Sequence, residues 1–229
     1  MTNIVMAVKD RYLLTRQALE SLFDNTSDFT LTIVDDESRD FRVRNMLDKY
    51  ALWPHVLRVR LTGSGGVIAR VKNIGVFSSE AVFVRGEWLY LSDCDVCFTK
   101  GWLETLTEVA ALSEKDDFAL WGGQLHPFHH TTLMPPVSGL NECNVLDGPS
   151  WLMRHKTWQD IGGMDSGCAP GPCMGEDGAF CEGLKAQGGH IGVVVPHVVY
   201  HTGLTQTDGK PAPGADQRRQ LIPPGVYCE

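Results

Sequence analysis

The sequence predicts an α/β fold in which a mostly parallel central sheet is flanked by helices, and two observations carry that expectation. Short apolar, β-branched runs alternate with segments of helical period from the N-terminus onward. Two of those runs end in acids, Ile33-Val34-Asp35-Asp36 and Leu91-Ser92-Asp93-Cys94-Asp95, and strand ends are where open α/β sheets place their ligands. Repeated β-α-β units imply right-handed crossovers and parallel neighbours.

The elements follow in order. Ile4 to Val8 is a short strand, and after Asp10 a helical pattern runs through Leu13, Leu14, Ala18, Leu19, Leu22 and Phe23. Asn25-Thr26-Ser27-Asp28 breaks that helix. Phe29 to Val34 is the second strand, Phe41 to Tyr50 a helix, and Val56 to Leu61 the third strand. Gly63-Ser64-Gly65-Gly66 precedes an apolar-periodic stretch from Val67 to Val76 that carries Arg70, Lys72 and Asn73. A glycine-rich turn opening a helix can hold phosphate on its amides, but this one lacks a P-loop or dinucleotide fingerprint and reads as a plain loop and cap. Leu89 to Val96 is the strand that delivers the second pair of acids; Gly101 opens a helix, and Phe118 to Gly123 is another strand. Residues 124–148 show little periodicity and contain His126, His129 and His130; the preferred reading is a substrate-facing loop. Pro149 to Arg154 is strand-like, Glu176 to Lys185 is a helix with acids in its first turn, and Ile191 to Val195 and Val198 to Gly203 close the ordered part. The expected organisation is one domain over residues 1–203, with a nucleotide-binding half (1–100), a second half (101–203), and a tail or lid (204–229).

Asp93 and Asp95 are two residues apart, so a continuous strand would point both to one face. Carboxylates that close repel one another unless a cation, a positive side chain or a shared proton relieves them. A divalent metal is the economical solution, since Mg²⁺ and Mn²⁺ favour oxygen ligands and Mg²⁺ combines one or two carboxylates with substrate phosphates. His201, at the end of the last strand, is able to ligate the same ion. Acids at 176 and 177 are also what a helix dipole favours.

Composition narrows the function classes. The 229 residues carry a formal net charge of −8, with 43% hydrophobic and 21% charged residues, the profile of a globule rather than of a general nucleic-acid binder. No apolar segment approaches the ~20 residues of a membrane span. Met1-Thr2-Asn3 leads straight into a strand without a basic and apolar leader, so the expected location is cytoplasmic. Seven cysteines are an odd number in a chain large enough to need no staples, and reduced thiols are expected. Cys94-x-x-Cys97 is only half of a zinc spacing.

Taken together, these pieces resemble the family 2 glycosyltransferases of the GT-A, Rossmann-like fold, over about Ile4 to Gly203. The motifs that carry the resemblance are Ile33-Val34-Asp35-Asp36-Glu37-Ser38, Arg70 with Asn73-x-Gly75, Asp93-Cys94-Asp95, Gly162-Gly163-Met164-Asp165 and Glu176-Asp177, in the family's order. Two departures stand out: Ala7-Val8-Lys9-Asp10 replaces the usual Pro-Thr-Tyr-Asn turn, and the Gln-x-x-Arg-Trp motif of processive synthases is missing.

The resemblance implies a metal-dependent, inverting transfer of a sugar from a nucleotide-diphosphate sugar, a UDP-sugar foremost, to an acceptor hydroxyl. Asp35 and Asp36 would contact the nucleotide, Arg70 the diphosphate, and Asn73 and Asp93 would belong to the donor side. Asp95, Asp93 and His201 would hold Mn²⁺ or Mg²⁺. Asp177 would be the general base and Glu176 its orienting neighbour. The acceptor hydroxyl is left open among a saccharide, a lipid-linked sugar, a protein side chain and, last, a nucleic-acid base. Two alternatives remain at this point: a nucleotidyltransferase, whose glycine-rich signature is missing between Val5 and Tyr12, and a catalytically silent nucleotide-sugar-binding domain.

Overall fold

The computed structural model describes residues 1–62, 67–123, 139–146, 148–165, 175–195, 197–203, 220 and 226–227. Strands β1 (Thr2–Val8) and β2 (Phe29–Asp36) are buried along their whole length, as near-continuous apolar runs in a sheet covered on both faces must be. They lie beside β3 (Val56–Leu61) and β4 (Trp88–Asp93) in the order β3-β2-β1-β4, all parallel. Helices α1 (Tyr12–Asn25), α2 (Phe41–Tyr50) and α3 (Ile68–Val82) make the crossovers. The helix expected from Val67 to Val76 therefore runs two turns further.

Period-two alternation in the strands sorts the core into two layers. Ile4, Met6, Leu31 and Ile33 face α1, α2 and α4 (Trp102–Ser113). Val5, Ala7, Val34, Leu89 and Leu91 face the other way, against α3, α5 (His155–Ile161) and α6 (Gly175–Ala186). On that side α3 comes close to the sheet at Gly75, where a Cβ would stand 2.3 Å from Val5 Cγ1 and 2.8 Å from Val34 Cγ2.

Beyond β4 the sheet turns mixed. β5 (Val96–Phe98) pairs antiparallel with β10 (Val199–His201) in a small separate sheet. The main sheet continues from β4 through β8 (Ser150–Arg154), β6 (Phe118–Gly122), β9 (His190–Val194) and β7 (Leu140–Glu142). Among the described residues four of its seven pairings are parallel, and the antiparallel ones all involve β7 or β8. The presence of β7 corrects the expectation that residues 124–148 lack regular structure. Leu140 packs into the core and the strand exchanges hydrogen bonds with β9, which compensates for its short length.

At the amino end of β1 a single polar side chain closes the sheet. Asn3 donates to Thr30 Oγ1 at 2.7 Å and to Val84 O, accepts from the Gly86 amide, and meets His155 Nε2 at 2.8 Å. At the far end of the chain, Tyr227 donates its amide to Gln17 Oε1 at 2.7 Å and accepts from Gln17 Nε2 at 3.0 Å, so residue 227 rests on α1. No helix among the described residues is long and apolar enough to cross a membrane.

Gly75→Ala tests the contact between α3 and the sheet. A methyl group gains about 1 kcal/mol in helix propensity but forces two buried valines to move, an overpacking cost of about 1–3 kcal/mol. The expected outcome in urea denaturation is a net loss of stability of about 1 kcal/mol, and a stabilised variant would refute the close packing.

Candidate functional site

Strand register brings the acids together. Val8 of β1 stands opposite Asp35 of β2, and Ala7 opposite Asp93 of β4, so three adjacent parallel strands end level with one another. A cavity of about 210 Å³ lies at these carboxyl ends, lined by Lys9, Arg11, Asp36, Val71, Asp93 and Asp95 among others. A larger hollow of about 660 Å³ sits beside the start of β2, lined by the mutually packed rings of Phe23, Tyr50, Trp53 and His55. Its lining includes Glu20, Asp24 and Asp28 but no lysine or arginine, and it lies away from the strand ends that carry the paired acids.

The two acids of β2 separate by face. Asp35 is fully buried and committed inward: Oδ1 accepts from the Ser38 amide at 2.9 Å and Oδ2 from Arg58 at 2.6 Å, with Arg60 at 4.0 Å. Asp36 points to the α3 side and lines the cavity; its Oδ2 accepts from Lys9 at 2.8 Å, while Oδ1 has no hydrogen-bond partner. Of the two acids expected to meet the nucleotide, it is Asp36 that lines the cavity.

Asp93 closes β4, and Asp95 lies in the two-residue turn before β5. The expectation of one continuous strand through Val96 is thereby corrected, because the chain turns at Cys94-Asp95 and β5 leaves the main sheet to pair with β10. That turn is pinned by Thr202, whose amide and hydroxyl both donate to Asp95 O, at 2.7 and 2.9 Å. His201 Nε2 consequently stands 3.2 Å from Asp95 Oδ2. A Cβ at residue 203 would be 2.0 Å from that same oxygen, so glycine is required for the close approach.

Each carboxylate of the pair has its own cation. Arg11 donates to Asp95 Oδ2 at 2.6 Å, and Lys72 Nζ lies 3.2 Å from Asp93 Oδ1. Burial pushes the Asp93 carboxyl above its ordinary range, Lys72 opposes that shift, and repulsion from Asp95 adds to it. Lys72 is 1% exposed, donates to Gly148 O at 2.6 Å, and stands 5.7 Å over the Trp151 ring. Among the described residues no three His, Cys, Asp or Glu side chains converge as a ready-made cation cage.

The Lys72 contact leads to Asp177. The Gly148 amide donates to Asp177 Oδ2 at 2.9 Å, and a Cβ at residue 148 would meet that carboxylate at 2.5 Å. Asp177 and Glu176, both half-buried in the first turn of α6, are thus one residue removed from the cation on Asp93. Asn73 is spent on structure: its amide donates to Met164 O at 2.8 Å and accepts from Met164 N at 3.0 Å, fastening the Gly162-Gly163 turn to α3. Arg70 is exposed on the same helix.

Lys9, Arg11 and Lys72 were not singled out from the sequence, and each had a signal. Lys9 and Arg11 directly follow the end of a buried strand. Lys72 occupies the apolar stripe of α3 with Ala69, Val76 and Ser79, where an unpartnered lysine would be costly. The residues 63–66, His126, His129, His130, Cys168, Cys173, Cys228 and residues 204–219 lie outside the described residues. Cys94, Cys97, Cys143 and Cys181 are free thiols, and burial pushes Cys94, Cys143 and Cys181 up to about 12, which keeps them protonated and unreactive.

The α/β arrangement is the GT-A fold, and several solved structures share that fold. GalNAc-T7 with UDP, GalNAc and Mn²⁺ superposes with a TM-score of 0.68 at 16% identity, over 88% of this chain and 43% of that one. TarS 1–349 of S. aureus gives 0.61 at 16% identity, over 86% and 59%. The mannosyltransferase PcManGT from Pyrobaculum calidifontis, with GDP-Man and Mn²⁺, gives 0.61 at 12% identity, over 84% and 56%. The chain therefore spans about half the length of these structures. No curated protein matches it in sequence. The model of glycosyl transferase family 2 matches residues 3–138, and the chain belongs to that family, which sets aside the nucleotidyltransferase reading.

Lys72→Met tests the buried pair. Removing the ammonium leaves Asp93 in its low-dielectric site without that cation, and breaking a buried pair costs about 3–5 kcal/mol. Because the Asp93 side chain is 29% exposed, the low end, about 3 kcal/mol, is expected in chemical denaturation. An unchanged midpoint would show that Asp93 does not depend on Lys72.

Proposed function

We propose that the chain is a metal-dependent, inverting glycosyltransferase that moves a sugar from a nucleotide-diphosphate sugar, with a UDP-sugar as the preferred donor, to an acceptor hydroxyl. The observation that supports this reading most is the placing of Asp93 and Asp95 on the wall of a cavity at the carboxyl ends of β1, β2 and β4, with His201 3.2 Å from Asp95, in a family 2 chain. The GalNAc-T7 and PcManGT structures pair UDP or GDP-Man with Mn²⁺, so this fold accommodates that combination.

The donor types present fit a divalent ion, although the side chains do not converge on one point among the described residues. Two carboxylates and one imidazole are ligands suited to Mn²⁺ or Mg²⁺, and Gly203 leaves room beside Asp95 Oδ2 that a Cβ would crowd. Held by Asp93, Asp95 and His201, the ion would neutralise charge on the diphosphate as the nucleotide leaves.

The chain's own groups divide the remaining work. Asp36, with an oxygen that lacks a hydrogen-bond partner at the cavity wall, accepts from the nucleotide's ribose or base. Asp35 supports it from behind by holding Arg58 and the Ser38 amide. Asp177 takes the proton of the acceptor hydroxyl as that oxygen attacks the anomeric carbon and the bond to the diphosphate oxygen breaks, giving inversion in one displacement. The Gly148 amide fixes the carboxylate for that role, and Glu176 orients the acceptor.

Two measurements test this function. In calorimetry, UDP is expected to bind at least about tenfold tighter with Mn²⁺ present than without it, the size of an ordinary coupling between sites, and Asp95→Ala is expected to remove the difference. Equal affinity in the wild-type protein would overturn the metal assignment. Asp177→Asn keeps the size of the side chain and its helix-capping ability but not its basicity, so turnover should fall about 10²-fold or more while donor affinity is retained. A variant with near-normal turnover would refute Asp177 as the base.

A further inference from the structure

Arg11 occupies one oxygen of the Asp95 carboxylate, the group expected to hold the metal. Its Nη1 is 2.6 Å from Asp95 Oδ2, the same oxygen that His201 approaches at 3.2 Å. Both partners are largely enclosed, with 20% of the Arg11 side chain and 8% of the Asp95 side chain exposed. A Cβ at residue 203 would be 3.1 Å from that Nη1, so the guanidinium is packed against the glycine that opens the site.

The backbone is built to hold it there. Asp10 and Arg11 both have left-handed dihedrals, with φ of 53° and 56°, a conformation that non-glycine residues rarely adopt in succession. Hydrogen bonds from every side maintain it: Asp10 Oδ1 accepts from the amides of Arg39 and Asp40, the Asp10 amide donates to Ser38 Oγ, and Thr15 Oγ1 donates to Asp10 O. The Thr15 amide donates to Arg11 O. The strained turn aims the arginine across the cavity mouth at the carboxylate.

We propose that Arg11 is a resident cation on Asp95 that couples metal binding to nucleotide binding. The inference rests on the metal–diphosphate reading above. A divalent ion held by Asp95 and a guanidinium on the same carboxylate would repel each other, so metal binding would compete with the Arg11 contact. Arg11 lines the cavity, and a diphosphate there offers it a better partner than a single carboxylate, because guanidinium pairs phosphate oxygens through two parallel hydrogen bonds. The nucleotide draws Arg11 off Asp95, and Asp95 becomes available to the metal. By linkage the metal helps the nucleotide by the same factor. The consequence is that the free protein resists metal and binds metal and nucleotide together.

The test is a set of Mn²⁺ titrations by calorimetry on the full chain, with and without saturating UDP. Arg11→Asn keeps a residue tolerant of the left-handed backbone but removes the cation. It is expected to bind Mn²⁺ alone about tenfold tighter than wild type, and the gain in Mn²⁺ affinity on adding UDP is expected to shrink by a similar factor, a coupling of ordinary size. Arg11→Lys, which keeps a positive charge on Asp95, should bind Mn²⁺ alone about as weakly as wild type, but lacks the two-bond contact to a diphosphate and should lose part of the gain on adding UDP. Mn²⁺ binding to Arg11→Asn that is measurable but no tighter than wild type would overturn this inference alone; no Mn²⁺ binding to any of the proteins, with or without UDP, would overturn the metal reading with it. Should Arg11→Asn not fold, wild-type protein supplies the readout. The Arg11 side-chain Nε–H resonance is expected to move when UDP and diamagnetic Mg²⁺ are added together, and an unmoved resonance at saturation would overturn the proposal.

Discussion

Four carboxylates crowded at one end of a sheet are the constraint around which this chain is arranged, and each is matched by a cation from elsewhere. Asp35 has Arg58 at 2.6 Å, Asp36 has Lys9 at 2.8 Å, Asp93 has Lys72 at 3.2 Å, and Asp95 has Arg11 at 2.6 Å. Parallel register makes the crowding unavoidable, since β1, β2 and β4 end together. Carboxylates this close repel one another unless positive groups relieve them. The fold answers the crowding by recruiting one basic residue from a neighbouring strand, one from a crossover helix, and two from the turn after β1.

That distribution explains what could and could not be read from the sequence. The alternation of strand and helix in the first hundred residues was legible because β1 and β2 are apolar throughout and α1 and α3 show clear helical period. The acids were legible as strand ends. Their cations were not, because Lys72 is 21 residues before Asp93 and Arg11 is 84 before Asp95, and a pattern read locally sees neither pairing. The break after Asp93 was missed for a related reason: Cys94-Asp95 carries no glycine or asparagine turn signal, and the turn is held by Thr202, more than a hundred residues further along the chain. β7 escaped notice because three residues are too few to show a period.

Contacts across the middle of the chain make the two sides of the site one mechanical unit. Helix α3 supplies Lys72 to both Asp93 and the Gly148 carbonyl, and Asn73 to the Met164 backbone. Gly148 in turn holds Asp177. A shift of α3 against the sheet would therefore move the carboxylate at the end of β4 and the one at the start of α6 together. Gly75, wedged between Val5 and Val34, sets how closely that helix lies.

The double hydrogen bond between Gln17 and Tyr227 bears on the C-terminal segment expected to be a tail. At its other boundary, Gly203 is packed against Asp95 and Arg11, and Gln17 lies on α1, the helix that begins just after Arg11. Gly203 and Tyr227, 24 residues apart in the sequence, thus both stand against residues in or next to α1, so a single helix anchors two distant points of the chain.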